Sequence, residues 1–447
     1  MERSTSGAGI PMPASSGDLM AHHSAELEQR LLGEIMRIQA IDVHSHVPHG
    51  APFATTLRDL LGYHYYTELA YSAGMSKKVI DPETGDEEML SGLVQAMSAL
   101  DNTVQYGWMI ELARELFGFE DRRLTRDNWQ ALDVAVSQKA KQPGREREVL
   151  RAANIEKVFL TNTFDEDLSK LDREIFVPSL RADSLVFRFA EPEVRKGLAK
   201  VTGTDIGRAT ELAASLEKLL ERFVGFGAAG LTISLPPHFK VFPVVEADLD
   251  TAVGKAAHGK PLSAAEGETL RCGTLFALAE LCRQFKLPVQ IVVGAARGAY
   301  RHGVPQGTDL PQAGDTLRPL MPLFNSFPDV TFCLSVLSAS QAQELASYGW
   351  IVRNVVVSGH WWYGNMPAYI ERDLAARLQS VPKTKLIGYY SDMYRLELGL
   401  PKLNMYRRVL ARVLAGDYVE GGRGTEEEAL EIAQLLLREN ARRIFSV

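Results

Sequence analysis

Eight short apolar runs punctuate the chain, and most are followed by a stretch with helical periodicity. They are 40–46 (AIDVHSH), 158–162 (VFLTN), 185–189 (LVFRF), 230–235 (GLTISL), 289–294 (VQIVVG), 330–336 (VTFCLSV), 354–360 (NVVVSGH) and 385–390 (KLIGYY). Continuous apolar runs between helices are what a parallel sheet buried on both faces requires. Eight of them predict an α/β fold, a (β/α)8 TIM-type barrel, with a doubly wound open sheet as the competing architecture. No Gly-x-Gly-x-x-Gly turn follows the first run, which disfavours the open sheet.

The spacing of the runs is uneven. About 110 residues separate the first from the second, far more than a crossover needs. Helical patterns at 57–73, 90–100, 104–117 and 128–142 fill that gap. They predict a helical subdomain, 57–150, inserted after strand 1 on the carboxyl side of the barrel, where active sites lie. The barrel is then 25–56 with 151–447. Residues 25–39 are predicted helical, as is 426–439, and 236–268 reads as a long loop. The start, 1–24, is rich in Ser, Gly, Ala, Pro and Met and reads as a disordered tail.

Composition narrows the class. The chain has 447 residues, 46% hydrophobic and 23% charged, which is globular, and its formal charge is −7. Lys and Arg are scattered rather than striped, so no nucleic-acid partner is expected. No apolar stretch reaches transmembrane length, and the start lacks a basic segment followed by an apolar one, so no membrane partner is expected. The three cysteines, Cys272, Cys282 and Cys333, are sparse and read as reduced, buried thiols in a cytoplasmic protein. Apolar positions on outer helices leave a homo-oligomer open.

The chemistry should sit where the eight strand ends converge. Strand 1 ends Ile41-Asp42-Val43-His44-Ser45-His46. In extended backbone, residues i and i+2 face the same side, so both imidazoles aim at one point. That suits one divalent metal ion, zinc before manganese. Asp392, just past strand 8 and beside strand 1 in a closed barrel, is the natural third ligand; alone it would read as a helix N-cap. Arg188 and Arg297 are candidates for an anionic substrate group, against the plainer reading of ordinary salt bridges. His360, beside Trp361 and Trp362, is a candidate acid or base, an added ligand, or part of an aromatic wall. His49 and His64 have weaker claims, and His22, His23 and His258 read as solvated.

These motifs resemble those of the uronate isomerase family, a divergent branch of the amidohydrolase superfamily, patchily from about residue 40 to the end. The likeness rests on Ile41 to His46, on His64-Tyr65, on YGWMIEL at 106–112, and on Phe187-Arg188. It continues with GAAR at 294–297, GHWWY at 359–363, Ser391-Asp392 and Tyr406-Arg407-Arg408. The resemblance implies isomerisation of a hexuronate, of the glucuronate–fructuronate type, by proton transfer through an enediolate. It implies a metal held by His44, His46 and Asp392, with Asp392 and His360 as catalytic candidates. Tyr65, Arg188, Arg297, Trp362 and Arg395 are the implied contacts to a small sugar acid. The chain departs from the family pattern at Leu235-Pro236, at Val292 and at Tyr394, where the family carries Asp-His, His and Arg. Two other readings stay open at this point: a mononuclear metal-dependent hydrolase or lyase acting on a small carboxylated or sugar-derived substrate, and a barrel that has lost its chemistry.

Overall fold

The computed structural model describes residues 16–447, with side chains from residue 25 onward. Eight parallel strands form its centre: β1 (Ala40–Asp42), β2 (Ile155–Phe159), β3 (Phe176–Val177 and Ser179–Arg181), β4 (Gly230–Leu235), β5 (Val289–Val293), β6 (Phe332–Val336), β7 (Val355–Ser358) and β8 (Leu386–Ile387). Each pairs with the next. The register runs Ile41↔Lys157, Val158↔Phe176, Leu180↔Leu231, Ile233↔Ile291, Ile291↔Leu334, Cys333↔Val356 and Val357↔Leu386.

Between β8 and β1 the closure lies just beyond the strands. His46 N–H donates to the Met393 carbonyl (2.8 Å) and Asp392 N–H to the His44 carbonyl (3.1 Å). The ring is therefore complete, as in a TIM-type barrel. Its strands bury both faces, and every residue of β5 is inaccessible, which explains why the strands read as unbroken apolar runs.

Three sequence expectations shift. The run at 185–189 is not strand 3; residues Asp183–Phe187 form a short helix with Leu185 and Val186 buried. The strand lies earlier, and Pro178 splits it. Proline has no N–H to give a ladder, and the polar Ser179 beside it broke the apolar signal. A bridge from Asn162 to Leu180 ties the second half of β3 back to β2's side. The segment 236–268 is not one loop, because it holds the helix Glu246–Ala257. Ala252, Val253 and Ala256 share that helix's buried face at helical spacing. Finally, the helix Ser16–Ile35 begins inside the segment read as a tail, with no proline after Pro13 to stop it; residues 1–15 of that expectation lie outside the described residues.

Between β1 and β2 the chain is helical. Its main helices are His64–Ser72, Asp86–Met97, Val104–Phe117, Trp129–Ala140 and Arg145–Ala153. Trp108, Met109, Leu112 and Ala113 form the buried face of one of them, which packs on the helix Gly399–Val413 after β8. All three cysteines are free and buried, and burial pushes the Cys282 and Cys333 thiols up to about 12. Among the described residues, no helix is long and apolar enough to cross a membrane.

One buried carboxyl joins the inserted helices to the barrel mouth. Glu397 is fully buried and accepts from Ala54 N–H at 3.2 Å. The buried Arg145 guanidinium lies 3.8 Å away. Burial dominates and raises the Glu397 carboxyl to about 7. The folded state thus holds a proton there that the unfolded chain releases above its ordinary carboxylate pKa. This contribution to stability is complete at low pH and is lost as pH rises through about 7. Between pH 5 and 8, Glu397→Gln should therefore gain stability relative to the parent, on the order of 1–3 kcal/mol by denaturant melts. Parallel pH profiles for the two proteins would show that Glu397 does not carry this proton.

Candidate metal centre

His44 and His46 follow directly after β1, and their rings meet edge to face, centroids 5.3 Å apart. Asp392 arrives from the end of β8. Its Oδ1 stands 3.3 Å from His46 Nε2 and 3.7 Å from His44 Nε2. One ligand atom from each of the three falls within 4.8 Å of the others. His44 and Asp392 are buried and His46 is half-buried.

Neighbouring groups fix each ligand's orientation. The Thr161 hydroxyl donates to the Ser45 carbonyl (3.0 Å), so at its 2.7 Å contact with His46 Nδ1 it accepts. The proton on His46 is then at Nδ1, and the Nε2 lone pair faces Asp392. Gln290 donates to the Val43 carbonyl (2.9 Å) and lies beside His44. Burial, then the neighbouring His46, push His44 down to about 4, so it is a neutral ligand at pH 7.

Asp392 has a left-handed backbone, φ 53°, which costs a non-glycine residue about 1–3 kcal/mol and persists only where its surroundings hold it. Here its N–H is tied to His44, its carbonyl accepts from Tyr63 (3.3 Å) and its Oδ2 from Tyr65 (3.3 Å). Burial opposes its charge, but the carboxyl is held well below the usual carboxylate range, with the Lys402 ammonium as the neighbouring cation. Its Oδ1 is buried and accepts no hydrogen bond. A carboxylate oxygen and two imidazole lone pairs converging in a buried place repel unless a cation lies among them. The donor set thus fits one divalent ion.

Behind the ligands lies a fully buried cation. Lys402 donates to the Ser391 carbonyl (2.7 Å) and the Tyr63 hydroxyl (2.9 Å). Its ammonium sits about 5 Å from the rings of Tyr63, Tyr65 and Trp108. Burial lowers it to about 8, against the pull of Asp392 and Asp42.

The remaining candidates divide. Tyr65 is at the centre. Trp362 lines the adjoining cavity and stacks on Tyr363, centroids 4.9 Å apart. Arg297 bonds Asp309 (2.6 Å) and reaches back to Ser234 at the end of β4 (3.1 Å). Arg395 is held by Asp59 (3.1 Å) and the Ala51 carbonyl (3.0 Å), a strut between the β8 and β1 loops. Arg188 is not at the strand ends. It caps the helix Asp183–Phe187, is exposed, and pairs with Glu191 (2.6 Å). His360 also turns away. Its Nδ1 faces Asp373 (3.3 Å) on the helix Pro367–Ser380, where Arg377 pairs with the same carboxylate (2.6 Å). The ring is held by this ion pair and is not one of the three groups whose ligand atoms converge.

Sequence reasoning missed Arg181, Thr161, Gln290, Tyr63 and Lys402. Arg181 is the true end of β3, and its charge reaches both His44 and Tyr394. Lys402 left a trace: a lone lysine among Leu400, Leu403 and Met405 on a helix that is buried almost throughout. Where the resembled family carries histidine and arginine, Val292 is buried and Tyr394 packs on His46, centroids 4.9 Å apart.

The glucuronate isomerase family model matches residues 26–445. The uronate isomerase of Rhizorhabdus wittichii is 25% identical over 443 residues, covering 91% of this chain and 92% of that protein. Two crystal structures share the fold. The uronate isomerase of Thermotoga maritima superposes with a TM-score of 0.86 at 18% identity, over 94% of this chain and 97% of its own. The glucuronate isomerase of Caulobacter crescentus superposes at 0.85 and 19%, over 97% and 95%.

The Thr161 contact yields a direct test. In Thr161→Val the His46 Nδ1 proton loses its acceptor, and zinc affinity should fall roughly 10–100-fold. Competition titration against a chromophoric chelator measures it. An unchanged affinity would remove Thr161 from the account of how His46 is oriented.

Proposed function

The chain belongs to the glucuronate isomerase family, and from that premise we propose that it interconverts an aldohexuronate and the matching ketohexuronate, with one divalent ion held by His44, His46 and Asp392. The observation that carries the proposal is the convergence of three potential metal-ligand atoms at the carboxyl end of the barrel, in a chain that matches the family from 26 to 445. The hydrolase or lyase alternative draws no support from that match.

The reaction moves hydrogen from C2 of the open-chain aldose to C1, so it needs a base, a polarised oxygen and a fixed carboxylate. A divalent ion bound by the three ligands supplies electrophilic polarisation of the substrate oxygens; zinc suits two imidazoles and a carboxylate, with manganese as the alternative. Asp392 is the proposed proton carrier. It is ionised well below neutral pH, and its Oδ2 is bonded by the Tyr65 hydroxyl. Burial pushes that hydroxyl well above its ordinary range, so Tyr65 stays protonated and donates. It orients the carboxylate and can pass its hydrogen bond to a substrate oxygen that gains negative charge.

Arg181 and Arg297, on the β3 and β5 sides of the mouth, are the guanidinium groups suited to the C6 carboxylate. Arg181 takes the role expected of Arg188. Arg297 would then share its fork between Asp309 and the substrate. The three free buried thiols support the cytoplasmic setting expected for the protein.

Proton NMR of hexuronates with the metal-loaded protein in deuterated water tests the proposal. Ketose formation, with deuterium entering at the transferred position, is the expected result. No turnover of any hexuronate by a protein carrying one ion per chain would sink it. Tyr65→Phe should lower kcat by about 10²-fold or more, with a smaller change in KM; a drop confined to KM would make Tyr65 a binding group only.

A further inference from the structure

A cavity of about 1070 Å3 opens beside the ligand cluster and is bordered at its inner end by Tyr65 and Trp362. His44, His46 and Asp392 are not in its wall, so the space lies beyond the reacting carbons. It is at the upper end of what ligands of drug size occupy, roughly 300–1,000 Å3, whereas a hexuronate is a single six-carbon unit.

The chemistry of this wall differs from that of the ligand cluster. No Lys, Arg or His belongs to it. Its two carboxylates are already engaged: Glu68 by His64 at 2.7 Å, and Asp309 by Arg297 at 2.6 Å and by Gly298 N–H at 2.8 Å. The Lys77 ammonium stands 5.4 Å from the centroid of the Tyr71 ring. What the wall offers is aromatic surface from Tyr71, Tyr300, Trp362 and Tyr363, with neutral polar groups between.

Trp362 and Tyr363 lie nearly parallel, 13° apart. Trp362 keeps a left-handed backbone, φ 44°, which is costly for a bulky residue and marks a position held for a purpose. Its Nε1 is buried and donates to nothing, and a buried indole N–H ordinarily finds an acceptor.

We propose that this cavity is a subsite for an uncharged glycosyl unit, so that the preferred substrate is a hexuronate glycosylated at O4 rather than the free sugar acid. This rests on the isomerase reading above. C1 and C2 must face the ligand cluster and C6 the arginines, which leaves the middle of the chain free to carry the extension. Flat aromatic rings match the apolar faces of a sugar. A second carboxylate would find no Lys, Arg or His in the lining itself.

The test compares kcat/KM for glucuronate, for its neutral 4-O-glucoside, and for a disaccharide whose second unit is also a uronate. The glucoside should exceed free glucuronate by about tenfold or more, and the doubly charged disaccharide should fall below the glucoside. Tyr71→Ala and Tyr300→Ala should each reduce the glucoside-to-glucuronate ratio by several-fold. Free glucuronate turned over as well as the glucoside, or better, would overturn the subsite and leave the isomerase reading standing. Turnover of none of the three would overturn both.

Discussion

The site depends on one fully buried carboxylate. Asp42, the last residue of β1, accepts from Ser391 N–H (2.9 Å) and from the Ser391 hydroxyl. β8 is only two residues long as a paired strand, so a ladder alone cannot fix its position against β1. Asp42 supplies the missing link, and the two backbone bonds beyond it, between Asp392 and His44 and between His46 and Met393, complete the closure. The same link sets the register that brings Asp392 Oδ1 opposite the two histidines. Closing the barrel and assembling the ligand cluster are thus one structural event.

That arrangement is expensive, because it buries charge. Burial lifts the Asp42 carboxyl to about 6, even with its hydrogen bonds from Ser391. Asp392 stays ionised and Lys402 is the buried cation set against both. A buried charge is tolerable only when paired and hydrogen-bonded. Lys402 meets that condition through Ser391, Tyr63 and three aromatic faces. The divalent ion proposed for the cluster would add a second positive centre.

The ligand cluster was legible in the sequence because it sits on simple periodicities. A His-x-His at the end of an apolar run and an aspartate at the end of the last run are enough, once the runs number eight. The third strand was not legible, since Pro178 split it while the neighbouring LVF, the buried side of a short helix, looked more strand-like. That one misplaced strand put the strand-end arginine at Arg188 instead of Arg181. His360 followed a strand correctly, but a strand end has two sides. Only the Asp373–Arg377 pair on the outer helix shows which one it takes. The groups that orient the ligands were invisible, because Thr161, Gln290 and Lys402 come from three distant parts of the chain and have no motif of their own.

The central claim is that His44, His46 and Asp392 hold one divalent ion in the closed barrel. Crystals grown with zinc, measured on both sides of the zinc absorption edge, test it most directly. The account predicts one strong anomalous peak per chain, in contact with both Nε2 atoms and an Asp392 oxygen. A peak held by other residues, or none at these three in zinc-saturated crystals, would contradict it.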